Sequence, residues 1–121
     1  MTISVSPVIF DRQHALARMG GLEDLLRDVM ELMLTESSKV HAQIVAAFNR
    51  RDLPALQLSA HTLKGSVSLV GASDLVSRLK HVEDCAASGQ ADVTAEDLAE
   101  IDRQFTELQR LMAAELKCSA V

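Results

Sequence analysis

Leu56, Ala60, Leu63, Val67 and Val70 recur at intervals of three and four residues. That spacing gathers side chains on one face of an α-helix and on neither face of a strand. It fixes the middle of the chain as helix and also decides what lies beside the apolar stripe. His61, Lys64 and Gly65 stand at i, i+3 and i+4 and share a second face. His61 is therefore expected near the water-facing edge. Gly65 weakens a helix interior by roughly 1 kcal/mol relative to alanine. A helix that accepts this loss beside a histidine is expected to be keeping space clear above the imidazole.

The same period extends in both directions. Asp11 is placed to cap a short helix over Arg12 to Met19, which Gly20-Gly21 ends. Leu22, Leu26, Val29, Met33, Val40, Ile44 and Phe48 mark a long amphipathic helix reaching about Asn49. Its stripe is interrupted at Glu36-Ser37-Ser38, a place for a kink or break. Asp52 caps the central helix, with Pro54 in the first turn where a missing N–H does little harm. That helix should finish near Val70, with Gly71 making the turn. Leu75, Leu79, Val82 and Ala86 define a further helix ending at Ser88-Gly89, and Thr94-Ala95-Glu96-Asp97 resembles a capping box with Asp in place of Glu or Gln. Leu98, Ile101, Phe105, Leu108 and Met112 carry the last helix towards Leu116. No strand-like alternation competes. The expected fold is all-α, an antiparallel four-helix bundle with a short additional N-terminal helix. Residues 1–9 are expected as a flexible arm, 10–117 as the bundle and 118–121 as a tail.

Composition narrows the function. With 121 residues there is room for one domain, and with aromatics at 2% and no Trp or Tyr the core must be aliphatic. A net charge of −5 without a basic run argues against nucleic acid. No apolar run approaches the roughly 20 residues of a membrane span, and the start lacks the basic and apolar regions of a secretory signal. A cytoplasmic protein is expected, with Cys85 and Cys118 as free thiols. Paired Glu-x-x-His motifs of di-metal bundles do not occur, Asp11-x-x-His14 being the nearest. There is no nucleotide-binding loop and hence no autokinase activity. His14, His41 and His81 are expected as surface residues.

His61 differs from them in its company. An imidazole is a nucleophile through one ring nitrogen when the other carries the proton and is held by an acceptor. Lys64, one turn on, can offset the charge of a phosphoryl group on the ring. Gly65 and the small Ser68 keep the surface low enough for a second protein to dock, and Leu58, Leu69 and Val76 would give it apolar contact.

Ala60-His61-Thr62-Leu63-Lys64-Gly65-Ser66, followed by Gly71-Ala72, Leu75 and Val82-Glu83, resembles the histidine-containing phosphotransfer (HPt) domain family. Phe10-Asp11 and Gly20-Gly21-Leu22 look like the family's opening segment, so the likeness runs from about Phe10 to Leu116. It implies that His61 is the phosphoacceptor, that Lys64 and Gly65 are the lysine and glycine beside it, and that Glu83 orients the imidazole. Glu83 has an alternative in pairing with Lys80 or Arg78 on its own helix. Two departures are Met33-Leu34, where many members place a phenylalanine, and Leu69-Val70, where relatives often carry polar residues. The resemblance implies a phosphocarrier with no cofactor of its own, any Mg²⁺ being held by its partners. Those partners would be response-regulator receiver domains and a sensor or hybrid histidine kinase, and a monomer is the simplest expectation. The alternatives are a helical adaptor that never carries phosphate, and the phosphoacceptor module of a larger kinase.

Overall fold

The computed structural model describes residues 8–89 and 92–119, the last by its backbone alone; most of the expected N-terminal arm, residues 1–7, lies outside that range, as do 120 and 121. Five helices follow in order: α1 (Arg12–Arg18), α2 (Glu23–Arg50), α3 (Leu53–Ser68), α4 (Ser73–Ser88) and α5 (Ala95–Ser119). No strand occurs among the described residues. Each of α2 to α4 packs on its successor and α5 closes back on α2, leaving α2/α4 and α3/α5 as the two diagonals.

The capping residues act as their chemistry requires. The Asp11 and Asp52 carboxylates accept from the N–H groups of His14 and Ala55 at 3.1 and 3.2 Å. Thr94 and Asp97 satisfy each other's backbone N–H at 3.1 and 3.0 Å, the reciprocal box that opens α5. Gly71 turns the chain between α3 and α4 at φ +71°, where a Cβ would come within 2.7 Å of the Asp11 Cβ. The close approach is needed because the Asp11 N–H donates to the Val70 carbonyl at 2.9 Å. Arg12 then bridges Glu23 of α2 and Glu115 of α5, strapping α1 across the end of the bundle.

The core is aliphatic. Leu26, Met30, Met33 and Ile44 of α2 meet Leu56, Leu63 and Val67 of α3, Leu75, Leu79 and Val82 of α4, and Ile101, Leu108 and Met112 of α5. All five residues of the central stripe are buried.

Three expectations are corrected. Helix α2 runs without interruption through Glu36-Ser37-Ser38. Ser37 is small enough to occupy the buried position itself, at 3% exposure. Beside it, the Ser38 hydroxyl donates to the Leu34 carbonyl at 2.9 Å and accepts from Gln109 Nε2 of α5. At the ends of the chain, α5 extends past Leu116 to Ser119, taking Cys118 into the helix, and Ile9 of the expected arm packs against the core. Finally, His41 is not a surface residue. Its side chain is 15% exposed in the α2–α5 seam and stacks on Phe105 with ring centroids 4.8 Å apart. Position 41 lies one turn from Ser37 and from Ile44, so helical period placed it inside although residue type argued for outside.

Candidate functional site

Helix α3 presents two faces, as its period requires. Ala60 and Leu63 are fully buried, while the intervening His61 side chain is 64% exposed. Helix α4 runs alongside and brings Glu83 to it across 22 residues of sequence. His61 Nδ1 lies 2.8 Å from Glu83 Oε1, and Lys64 Nζ lies 2.6 Å from Glu83 Oε2. The two oxygens of one carboxylate are thus divided between two residues of α3 that are one turn apart. Lys80 and Arg78, the alternative partners for Glu83, are engaged elsewhere, with Asp84 at 3.4 Å and Asp74 at 2.8 Å.

The electrostatics follow from this sharing. Glu83 is more sheltered than its partners, at 17% side-chain exposure against 23% for Lys64. Its carboxyl is held below the ordinary carboxylate range, chiefly by the Lys64 ammonium; burial opposes this and His61 adds to it. An ionised carboxylate only accepts, so in the neutral ring Nδ1 carries the proton and Nε2 keeps its lone pair. The imidazole is therefore arranged as a nucleophile open to solvent.

The surroundings are low and nearly free of negative charge. A Cβ on Gly65 would meet nothing within 4 Å, so this chain's own packing does not demand the glycine. Ser68 Oγ turns inward to donate to the Gly65 carbonyl at 2.7 Å. Leu58 is 68% exposed, while Ser68, Leu69 and Val76 are half-buried, Val76 packing against the core. Of the 17 acidic residues, none falls between Asp52 and Asp74, so α3 carries no carboxylate.

Sequence reasoning missed Pro54 and Gln57, which line a shallow depression with Leu58, His61 and Glu83. They stand seven and four residues before His61, and the same helical period would have found them. A second depression, between α2 and α3, is lined by Gln43, Ala46, Arg50, Ala55, Leu58 and Ser59. Cys85 is buried and its sulfur lies 3.7 Å from His81 Nε2, away from this site. Among the described residues no three His, Cys, Asp or Glu side chains gather as metal ligands, and no helix is long and apolar enough to cross a membrane.

A sequence model of the Hpt domain matches residues 28–112. A search of curated proteins found no match. In structure, the chain is similar to the histidine-containing phosphotransfer protein B (HptB) of Pseudomonas aeruginosa PAO1. The TM-score is 0.82 at 23% identity, over 93% of this chain and 97% of that one. At that identity the likeness speaks for the five-helix fold, and the sequence match over most of the chain speaks for the family. The chain belongs to the Hpt domain family: it is a histidine-containing phosphotransfer protein of a phosphorelay, a phosphocarrier rather than an enzyme, with receiver domains and kinases as its class of partner.

Proposed function

We propose that His61 carries the phosphoryl group, shuttling it between aspartates of two receiver domains. The observation that carries this reading is the 2.8 Å contact of Nδ1 with Glu83 on a ring that is otherwise 64% exposed. The Nε2 lone pair attacks the phosphorus of a receiver's aspartyl phosphate. As the N–P bond forms, the P–O bond to the aspartate breaks and that side chain leaves as a carboxylate. The Nδ1 proton stays on the ring, and the Glu83 charge offsets the imidazolium character that phosphorylation confers. Lys64 supplies positive charge to the transferred phosphoryl group. Gly65 keeps the approach open, and Leu58, Ser68, Leu69 and Val76 form the surface on which the receiver sits. Mg²⁺ for both transfers is held in the receivers' acidic pockets. The carrier works as a monomer in the cytoplasm.

The test is incubation with a receiver carrying labelled phosphate and Mg²⁺. The expected product is label that is lost in acid, survives base and is absent from the His61→Gln variant, whose helical circular dichroism is unchanged. Label retained by His61→Gln would refute the assignment.

A further inference from the structure

We propose that the cavity at the end of the bundle remote from α1 binds a free α-amino acid with a branched or aromatic apolar side chain, such as leucine or phenylalanine. It shares no residue with the depression around His61 and does not depend on the phosphoacceptor reading.

The cavity lies where α2 hands the chain to α3 and α4 hands it to α5, and its volume is about 180 Å³. Its apolar lining is Phe48, Leu53, Leu56 and Val93. Leu56 and Val93 are buried and Phe48 is half-buried, while Leu53 is left 41% exposed. An apolar protein cavity of about 150 Å³ accepts benzene, so this one has room for a phenyl ring or an isobutyl group. Two exposed residues of opposite charge, Arg51 and Asp92, complete the mouth. Neither forms an ion pair with the other or with any described residue, and Asp52, the acid next to Arg51, is taken by Arg50 at 3.4 Å. Arg51 is held over the Phe48 ring, 4.9 Å from its centre. A guanidinium held in this way keeps its N–H donors for a carboxylate. A ligand with a carboxylate alone would meet Asp92 at the same mouth, and an amine alone would meet Arg51. A zwitterion satisfies both, with its carboxylate on Arg51 and its ammonium on Asp92, and its side chain is then the part that enters the cavity. Glycine brings the charges without the filling, and an apolar side chain of a protein partner brings the filling without the charges.

The test is titration of ¹⁵N-labelled protein at pH 7, following backbone amide shifts. The probes are leucine, phenylalanine, glycine, 4-methylpentanoate (leucine without its ammonium) and 3-methylbutylamine (leucine without its carboxylate). Leucine or phenylalanine should shift the amides of residues 48–56, 92 and 93 saturably, with a Kd of about 1 mM or below. Glycine and the two singly charged fragments should bind about tenfold more weakly or worse. Two variants assign the charges. Arg51→Gly preserves the left-handed turn at φ +58°, which glycine adopts freely, and Asp92→Asn removes one charge at constant size. Each should weaken leucine binding about tenfold. Asp92→Asn should also erase the preference for leucine over 4-methylpentanoate, and Arg51→Gly the preference over 3-methylbutylamine. The proposal is overturned by the absence of a saturable shift with either amino acid at about 10 mM. Fragments that bind wild type as well as leucine does, or preferences that persist in the variants, would overturn it equally.

Discussion

His41 offers the sharpest test of how burial and charge compete in this bundle, because replacing it by phenylalanine should stabilise the protein. Its Nε2 is buried with no hydrogen-bond partner, although Asp102 Oδ1 lies 3.3 Å away in a poor direction. An unsatisfied buried polar atom costs about 1–3 kcal/mol. Phenylalanine removes that atom and keeps the stack on Phe105, so a gain of about 1 kcal/mol at pH 8 is expected, or roughly 4 °C in Tm. Acidification should widen the gap. Protonating His41 would place its charge 3.3 Å from Asp102, worth about 1.3 kcal/mol at the dielectric of water. Asp102 is 62% exposed, so that screened figure is the appropriate one. Desolvation outweighs it, and the imidazole pKa is pushed below its ordinary 6.5. A base with a depressed folded pKa stabilises fully above the unfolded value and loses that contribution as pH falls from 6.5 through the folded value. The loss is about 1.4 kcal/mol per unit of depression. Glu83 titrates below this window and does not obscure it. Urea unfolding of wild type and His41→Phe at pH 8 and pH 5 reads both effects. A variant less stable than wild type at pH 8, or a gap that does not widen at pH 5, would refute the reasoning.

Two further predictions concern the proposed docking surface. Gly65→Ala should raise stability by about 0.5–1 kcal/mol, since helix propensity improves and the added Cβ meets nothing. It should also slow transfer from a receiver, and a variant that melts higher yet transfers as fast would remove Gly65 from docking. Leu58→Ala, at a side chain 68% exposed, should change stability by less than about 0.5 kcal/mol. Its affinity for a receiver, read by titration calorimetry, should fall by about 1–2 kcal/mol, and an unchanged affinity would move the contact surface elsewhere on α3.

Most of the fold was legible because the signals that mark helices are local. Asp11, Asp52 and Thr94 cap with their own side chains, and Gly71 and Gly89 take the positive φ expected of turn glycines. What escaped depends on neighbours in space. Ser37 reads as a break in an apolar stripe, yet a small hydroxyl fits the buried position. His41 reads as surface by residue type and is drawn inside by its register and by Phe105. The site divides in the same way. His61, Lys64 and Gly65 share one helical face and were visible as a set. The pairing of Glu83 with both His61 and Lys64, instead of with Lys80 or Arg78, depends on how α4 lies against α3, and no spacing within α4 could decide it.

With His61 as the proposed acceptor, that pairing also accounts for how an acidic protein can receive an anionic group. The chain carries a net charge of −5, but none of its carboxylates lies on α3, and the one that faces His61 is matched by Lys64. With a neutral ring, the cluster of Glu83, Lys64 and His61 sums to zero. Screening in salt limits exposed charges to a range of about 8 Å, so the acids of α2 and α5 contribute less to the approaching phosphoryl group than this cluster does. Removing Lys64 would leave the cluster at −1 and oppose both the arrival of phosphate and its retention. Removing Glu83 would leave the charge favourable and the tautomer free. The two substitutions should therefore fail differently, the first by repulsion and the second by loss of orientation.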